Sequence, residues 1–280
     1  MMPRIDAHQH YWTIQRDDYG WLKPALKPLY RDYQPADLAP LLADGAIVRT
    51  VLVQAAPTVA ETRYILELAD RNDSVAGVVG WIDMSSGSAA DDLAALAENP
   101  RLVGIRPMIH NIEDPAWIVR PELAEATEAV IERGLCFDAL VRPVHLPFLL
   151  EFLQRHPDLK TVIDHGAKPD IADGRWQPWA DSMSEIAEKT RACCKLSGLL
   201  TEAAPTQGYD ELEPYMAHLL SVFGPKRLMW GSDWPVLNLA GNYRDWLSMA
   251  ERFLLRLGPQ EQAQVLGGNA ARFYGLAAPG

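Results

Sequence analysis

Cysteine is scarce in this chain: there are three in 280 residues, Cys136 alone and Cys193 next to Cys194. No C-x-x-C spacing occurs, so neither a disulfide framework nor a thiolate metal centre is expected. The three are read as reduced thiols of a cytoplasmic protein. Long apolar runs are missing too. None approaches the roughly 20 residues that span a bilayer, and no basic-then-apolar leader opens the sequence. Positive charge is in deficit, with 26 Lys and Arg against 37 Asp and Glu and a net charge of −11. Such a surface repels phosphodiester backbones and anionic lipid, so neither nucleic acid nor membrane is expected as a partner. A small substrate is still open, because Arg106, Arg142 and Lys168 can make one pocket locally positive. There is no low-complexity tract, linker or internal repeat. Residues 1–280 are therefore expected to form one domain.

Hydrophobic residues make up 48% of the chain, enough for a large core. Short β-rich apolar runs alternate with segments of helical period. The predicted strands are Arg4–His8, Arg49–Gln54, Ala76–Ile82, Leu102–Met108, Cys136–Val141, Lys160–Asp164, Ala192–Leu196 and Arg227–Trp230. They are near-continuously apolar rather than alternating, as in a parallel sheet covered on both faces. After a longer first interval they recur about every thirty residues, the length of one βα unit. Between them lie amphipathic helices. Leu212, Tyr215, Met216, Leu219, Leu220 and Phe223 make one stripe that Gly224 and Pro225 terminate. Leu123, Thr127, Val130 and Ile131 repeat the pattern after Pro121. Eight such units predict a (β/α)8 TIM barrel rather than an open doubly wound sheet. The open sheet would want a glycine-rich phosphate loop after its first strand, where this chain has Gln9-His10-Tyr11-Trp12. Residues 11–34 form a long loop carrying Trp12, Tyr19, Trp21, Tyr30 and Tyr33, readable as a lid or as a segment packed across the barrel mouth.

In a barrel the C-terminal ends of all strands face one mouth, where chemistry is built. His8 and His10 sit two apart in the first strand, so both side chains leave the same face. Later strand ends add Gln54, Trp81, Asp83, Arg106, His110, Asp138, His165, Lys168, Ser197, Glu202, Asp233 and Trp234. Several have plain structural readings: Asp83 as a helix cap, Arg142 paired with surface acid, His145, His156 and His218 in core or surface roles. Lys195 is expected to point outward between helices, and Cys193 and Cys194 to be small buried residues. His8, His10, His165 and Asp233 differ, because separate strand ends bring them together. These four admit two chemistries. One is a single zinc ion with an open position for water. The other needs no metal: Asp233 takes a proton from water while the histidines and Arg106 polarise a carbonyl.

Asp6-Ala7-His8-Gln9-His10-Tyr11-Trp12, Phe137-Asp138-Ala139-Leu140-Val141 and Asp164-His165-Gly166-Ala167-Lys168-Pro169 form an ordered set of strand-end motifs. Lys195-Leu196-Ser197-Gly198-Leu199, Gly231-Ser232-Asp233-Trp234-Pro235 and a closing Leu266-Gly267-Gly268-Asn269-Ala270-Ala271-Arg272-Phe273-Tyr274 complete it. Over its full length the chain resembles the amidohydrolase superfamily, in its subgroup of metal-independent lactonases of sugar and pyrone type. The resemblance implies a distorted (β/α)8 barrel with Asp233 as general base toward water. It implies His8, His10 and His165 around the reacting carbonyl, able to bind a divalent ion where one is present, and Arg106 on the substrate. Zinc-dependent members also carry a carboxylated lysine or a bridging glutamate, and a histidine on strand five. Strand five here offers Asp138, so a binuclear centre is not expected.

The pyrone type clamps a dicarboxylate with several arginines. Here Trp12, Gln54, Trp81, His110, Asp138, Lys168, Glu202 and Trp234 are expected to line the substrate instead, which suits a hydroxylated, less charged ring. The expected activity is hydrolysis of a deoxy-sugar aldonolactone, of the L-fuconolactone or L-rhamnonolactone type, to the aldonic acid. No cofactor is expected to be required, although a single zinc ion can be held by His8, His10, His165 and Asp233. The alternatives are a zinc-dependent hydrolase or decarboxylase of the same fold, and a catalytically silent ligand-binding barrel. A homo-oligomer is compatible with the sequence.

Overall fold

A computed structural model describes residues 2–277. Eight parallel strands run in sequence order around the sheet: β1 Arg4–Gln9, β2 Ile47–Val53, β3 Val75–Gly80, β4 Leu102–Ile105, β5 Cys136–Ala139, β6 Lys160–Ile163, β7 Cys193–Leu196 and β8 Leu228–Trp230. The barrel closes between β8 and β1, where Gln9 bridges Trp234 and the Asp233 amide donates to the His8 carbonyl at 2.8 Å. All eight predicted strands are present. Those of β3, β4 and β5 stop two or three residues earlier than predicted, because the apolar runs continue into mouth loops as buried Ile82, Ile109 and Val141. At β4 the ladder ends just before Arg106 and Pro107, the latter having no amide hydrogen to give.

Helices α1 Pro35–Asp44, α2 Val59–Asp70, α3 Ala89–Leu96, α4 Ala124–Glu132, α5 Leu146–Arg155, α6 Trp179–Lys189, α7 Tyr209–Phe223 and α8 Tyr243–Leu254 surround the barrel. The predicted stripe of α7 is buried at Leu212, Tyr215, Met216, Leu219 and Phe223. Thr58 caps α2 and Asn242 caps α8 through their side-chain oxygens, satisfying amides the first turn leaves free. Among the described residues, no helix is long and apolar enough to cross a membrane. All three cysteines are free thiols.

Alternation along each strand sorts the side chains into two cores. Leu52, Phe137, Ile163, Cys194 and Leu196 pack outward against helices. Val51, Val53, Val79, Cys136, Val162 and Met229 fill the barrel, closed from below by the buried turn Gln264–Gly268 and the helix Asn269–Tyr274, whose Ala270 and Tyr274 join that inner cluster. With Cys194 and Leu196 outside, Lys195 must point inward. It is fully buried in the barrel, so the expectation of an outward lysine is overturned.

On β1, Ile5 and Ala7 join the inner cluster, yet His8 reaches inner groups as well. The ladder shifts register between Asp6 and Gln9, and that bulge breaks the alternation and turns His8 and His10 toward the mouth. The loop 11–34 packs rather than stands free. Trp12 and Tyr33 exchange backbone hydrogen bonds at 3.0 Å, and Trp12, Tyr19, Leu22 and Leu29 are buried beneath.

Candidate active site

Three histidine Nε2 atoms converge on one carboxylate oxygen. Asp233 Oδ1 lies 3.3 Å from His10, 3.7 Å from His8 and 3.8 Å from His165. His8 and His10 face each other at 3.2 Å between their Nε2 atoms, and Arg106 Nη1 stands 3.4 Å from His8 Nε2. Each group is held from behind. His10 Nδ1 donates to the Val53 carbonyl at 2.7 Å, so in its neutral form Nε2 is bare. His165 Nδ1 is 2.8 Å from Ser197 Oγ. Arg106 donates through Nη2 to the Gln54 carbonyl, while Gln54 Nε2 donates back to the Arg106 carbonyl at 2.7 Å.

The backbone is specialised at the same place. His165 and Asp233 adopt left-handed conformations, with φ of 53° and 59°, which cost energy for residues with a Cβ and concentrate at functional sites. Two glycines make room for the histidines. A Cβ on Gly198, itself at φ +62°, would lie 2.5 Å from His165 Nδ1, and one on Gly231 would lie 2.8 Å from His8 Cβ. Asp6 ties the ends of the barrel together, accepting from the Ser232 amide at 2.8 Å and from Tyr243 Oη at 3.1 Å.

Burial dominates the electrostatics. It pushes His8 and His165 well below the usual imidazole range, assisted at His8 by Lys195 and opposed at His165 by Asp233. His110 falls to about 3 through burial and the Arg106 charge. Burial alone would raise Asp233, but His165 and His10 outweigh it and hold the carboxyl below its ordinary value. The site therefore presents an ionised Asp233 carboxylate beside His8 and His165 imidazoles that resist protonation.

Beneath this layer lies a second, fully buried one. Lys195 Nζ is 2.6 Å from Asp138 Oδ2, 3.0 Å from Asp164 Oδ1 and 3.0 Å from His8 Nδ1. Tyr274 Oη donates to Asp138 Oδ2 at 2.8 Å. Asp164 is held well below the carboxylate range, since Lys195 and His8 overcome the cost of burial. Asp138, more dominated by burial, rises to about 6.

A cavity of about 200 Å³ opens onto the upper layer, small beside the roughly 300–1,000 Å³ of drug-sized sites. His10, Arg106, His110, His165, Lys168 and Asp233 line it, as the sequence led one to expect. Asp138 does not. Its Cα pairs with Val162, one layer below Asp164, so it faces Lys195 instead of the mouth. Trp12 and Trp234 are buried in an aromatic stack with Tyr33 and Tyr11, away from the cavity wall. Gln54 braces Arg106 rather than lining the cavity. Glu202 pairs with Lys168 and lines a neighbouring groove. Trp81 lines an adjoining cavity of about 440 Å³ that shares Trp21, Met108 and Asn111 with the site. Sequence reasoning passed over Asn111 and Trp21 as wall residues, and Lys195, Asp164 and Tyr274 beneath. For Lys195 no local signal existed, because the neighbouring Cys194 is small enough for either face of the strand.

The upper layer suits a metal in donor type and spacing. The four contacts His8–His10, His10–Asp233, His8–Asp233 and His165–Asp233, at 3.2, 3.3, 3.7 and 3.8 Å, lie near the about 3.3 Å between ligands of a zinc with ~2.0–2.1 Å bonds. His8, His165 and Asp233 alone form a group whose ligand atoms lie within 4.8 Å of one another.

Residues 5–276 match the model of a family described as Amidohydrolase. The chain is 49% identical over 280 residues to an L-fucono-1,5-lactonase of Burkholderia ambifaria, covering 99% of this chain and 97% of the relative. It is 35% identical over 288 residues to an L-fucono-1,5-lactonase of Burkholderia multivorans, covering 99% and 97%. A zinc-bound crystal structure of an amidohydrolase from Burkholderia multivorans superposes with a TM-score of 0.93 at 35% identity, covering 98% of this chain and all of the other.

Proposed function

The chain belongs to the Amidohydrolase family, and from that premise we propose that it is a lactonase opening a deoxy-sugar aldonolactone, of the L-fucono-1,5-lactone type, to the aldonic acid. It is a hydrolase of lactone ester bonds, and two relatives named L-fucono-1,5-lactonase support this over the decarboxylase and silent-barrel alternatives. The observation that carries the mechanism is the Asp233 carboxylate, held ionised with its Oδ1 3.3 Å from the bare Nε2 of His10.

Two acceptors at that distance have no proton to share, so a water on the cavity side of the pair is oriented with its protons toward both and its lone pair toward the cavity. Asp233 takes one proton as the water oxygen bonds to the lactone carbonyl carbon. The Arg106 guanidinium, with His165 beside it on the cavity wall, faces the developing oxyanion in a buried, water-poor setting, where such a donor acts most strongly. The ring C–O bond then breaks, and the proton taken from water passes to the departing ring oxygen. Lys168 and His110 remain on the cavity wall to meet the ring hydroxyls. An activated ester needs less assistance than an amide, which fits a site able to work through its own side chains. A divalent ion held by His8, His10, His165 and Asp233 would supply, when bound, a Lewis acid and a more acidic water.

The test is a panel of lactones followed with a pH indicator, since ring opening releases a proton. Six-carbon deoxy-sugar 1,4- and 1,5-lactones should be opened much faster than N-acyl amides, phosphotriesters or aromatic dicarboxylate lactones. Turnover of amides alone would overturn the reading.

A further inference from the structure

We propose that Lys195 is a positioning residue that holds His8 in its Nε2–H tautomer, so that His8 directs an N–H toward Asp233 and His10 from behind the cavity wall and is a poor zinc ligand. The proposal deepens the lactonase reading and rests on it for its kinetic part.

The argument is one of hydrogen-bond direction. Lys195 Nζ sits between the Asp138 and Asp164 carboxylates, fully buried, which keeps it an ammonium. An ammonium has three donors and no lone pair. Its third neighbour is His8 Nδ1 at 3.0 Å, and that nitrogen must therefore be the bare one. A neutral His8 then carries its single proton on Nε2. A second, independent contact requires the same proton. His10 Nδ1 faces a carbonyl oxygen, which only accepts, so the neutral His10 is bare at Nε2. The His8 Nε2 to His10 Nε2 contact of 3.2 Å would oppose two lone pairs unless His8 carries the hydrogen. The approach of Arg106 Nη1 to His8 Nε2, at 3.4 Å, is longer than either of these contacts.

The opposite tautomer is built into the same pocket. Asp164 Oδ1, which faces Lys195 Nζ at 3.0 Å, also lies 3.4 Å from His8 Nδ1. Moving the proton to Nδ1 would give that oxygen a second donor and bare Nε2 toward Asp233 and His10, the form a metal requires. It would also set the imidazole N–H against the Lys195 ammonium. Lys195, braced by Asp138 and Tyr274, thus biases His8 toward an N–H that faces the Asp233 carboxylate, 3.7 Å away.

Long-range 15N–1H spectra of histidine-labelled protein read the tautomer directly. In the wild type, freed of metal, His8 should be the Nε2–H form and His10 the Nδ1–H form; a wild-type His8 protonated at Nδ1 overturns the proposal without any variant. In Lys195→Met, His8 should switch to Nδ1–H, zinc titrated calorimetrically should bind about tenfold tighter or more, and metal-free kcat should fall roughly 10–100-fold with KM moved less, the usual reach of a residue acting through another. A folded Lys195→Met protein with an unchanged tautomer and zinc affinity also overturns it. If the wild type opens no lactone, the lactonase reading fails while the spectra and the zinc titration still decide the role of Lys195.

Discussion

Asp233 Oδ1 and His10 Nε2 face each other at 3.3 Å as two acceptors, because the proton of His10 is committed to the Val53 carbonyl 2.7 Å behind it. On the cavity side of this pair a water can give one proton to each and keep a lone pair for attack. His10→Ala removes one acceptor and leaves the base. Its kcat on L-fucono-1,5-lactone should fall by about 10- to 100-fold, less than for any change that removes the Asp233 carboxylate. A His10→Ala enzyme with unaltered kcat would place the water elsewhere.

Zinc fits the donor set, while the proposed mechanism runs through side chains. Exhaustive chelation followed by metal analysis should leave most of the lactonase activity in metal-free protein. Loss of activity restored by one equivalent of zinc would mean that the ion generates the nucleophile.

Glu61, fully buried beneath the loop 11–34, makes a separate prediction about stability. Burial drives its pKa up to about 8, against the single hydrogen bond it accepts from the Ala55 amide at 3.1 Å. Its folded-state pKa lies above the unfolded value, so its contribution is fully present below about pH 4.5 and is lost as pH rises through 8. Glu61→Gln should therefore lose less thermal stability than the wild type between pH 5 and pH 9. Parallel melting curves for the two proteins would contradict a protonated Glu61.

Trp12 was legible as an aromatic in a long loop, but its role was not. Its fully buried ring packs edge-on with Trp21 and Tyr33, and its Nε1 donates to the Arg31 carbonyl at 2.8 Å. Trp12→Ala should cost about 3–5 kcal/mol of stability, read as a lower denaturant midpoint. A normal midpoint with a large rise in KM would return Trp12 to the substrate.

The barrel itself was legible because parallel strands buried on both faces must be apolar almost throughout, and eight such runs recur at the length of a βα unit. The pair His8 and His10 was legible through its spacing. Depth was not. Asp138 and Asp164 both stand near strand ends, and only the pairing of Asp138 with Val162 reveals that one lies a layer below the other. Lys195 follows two cysteines small enough for either face, so the sequence around it does not declare which way β7 is turned. Gln54 and Trp234 were found at the correct end of the barrel. Whether a side chain there lines the cavity or braces its neighbour depends on loop packing that no local pattern records.

The most direct test is Asp233→Asn, which keeps shape and removes the base. On L-fucono-1,5-lactone its kcat should fall by roughly 10²–10⁴-fold, with KM and melting temperature close to those of the wild type. A near-normal kcat accompanied by a lowered melting temperature would make Asp233 a structural residue and contradict the mechanism.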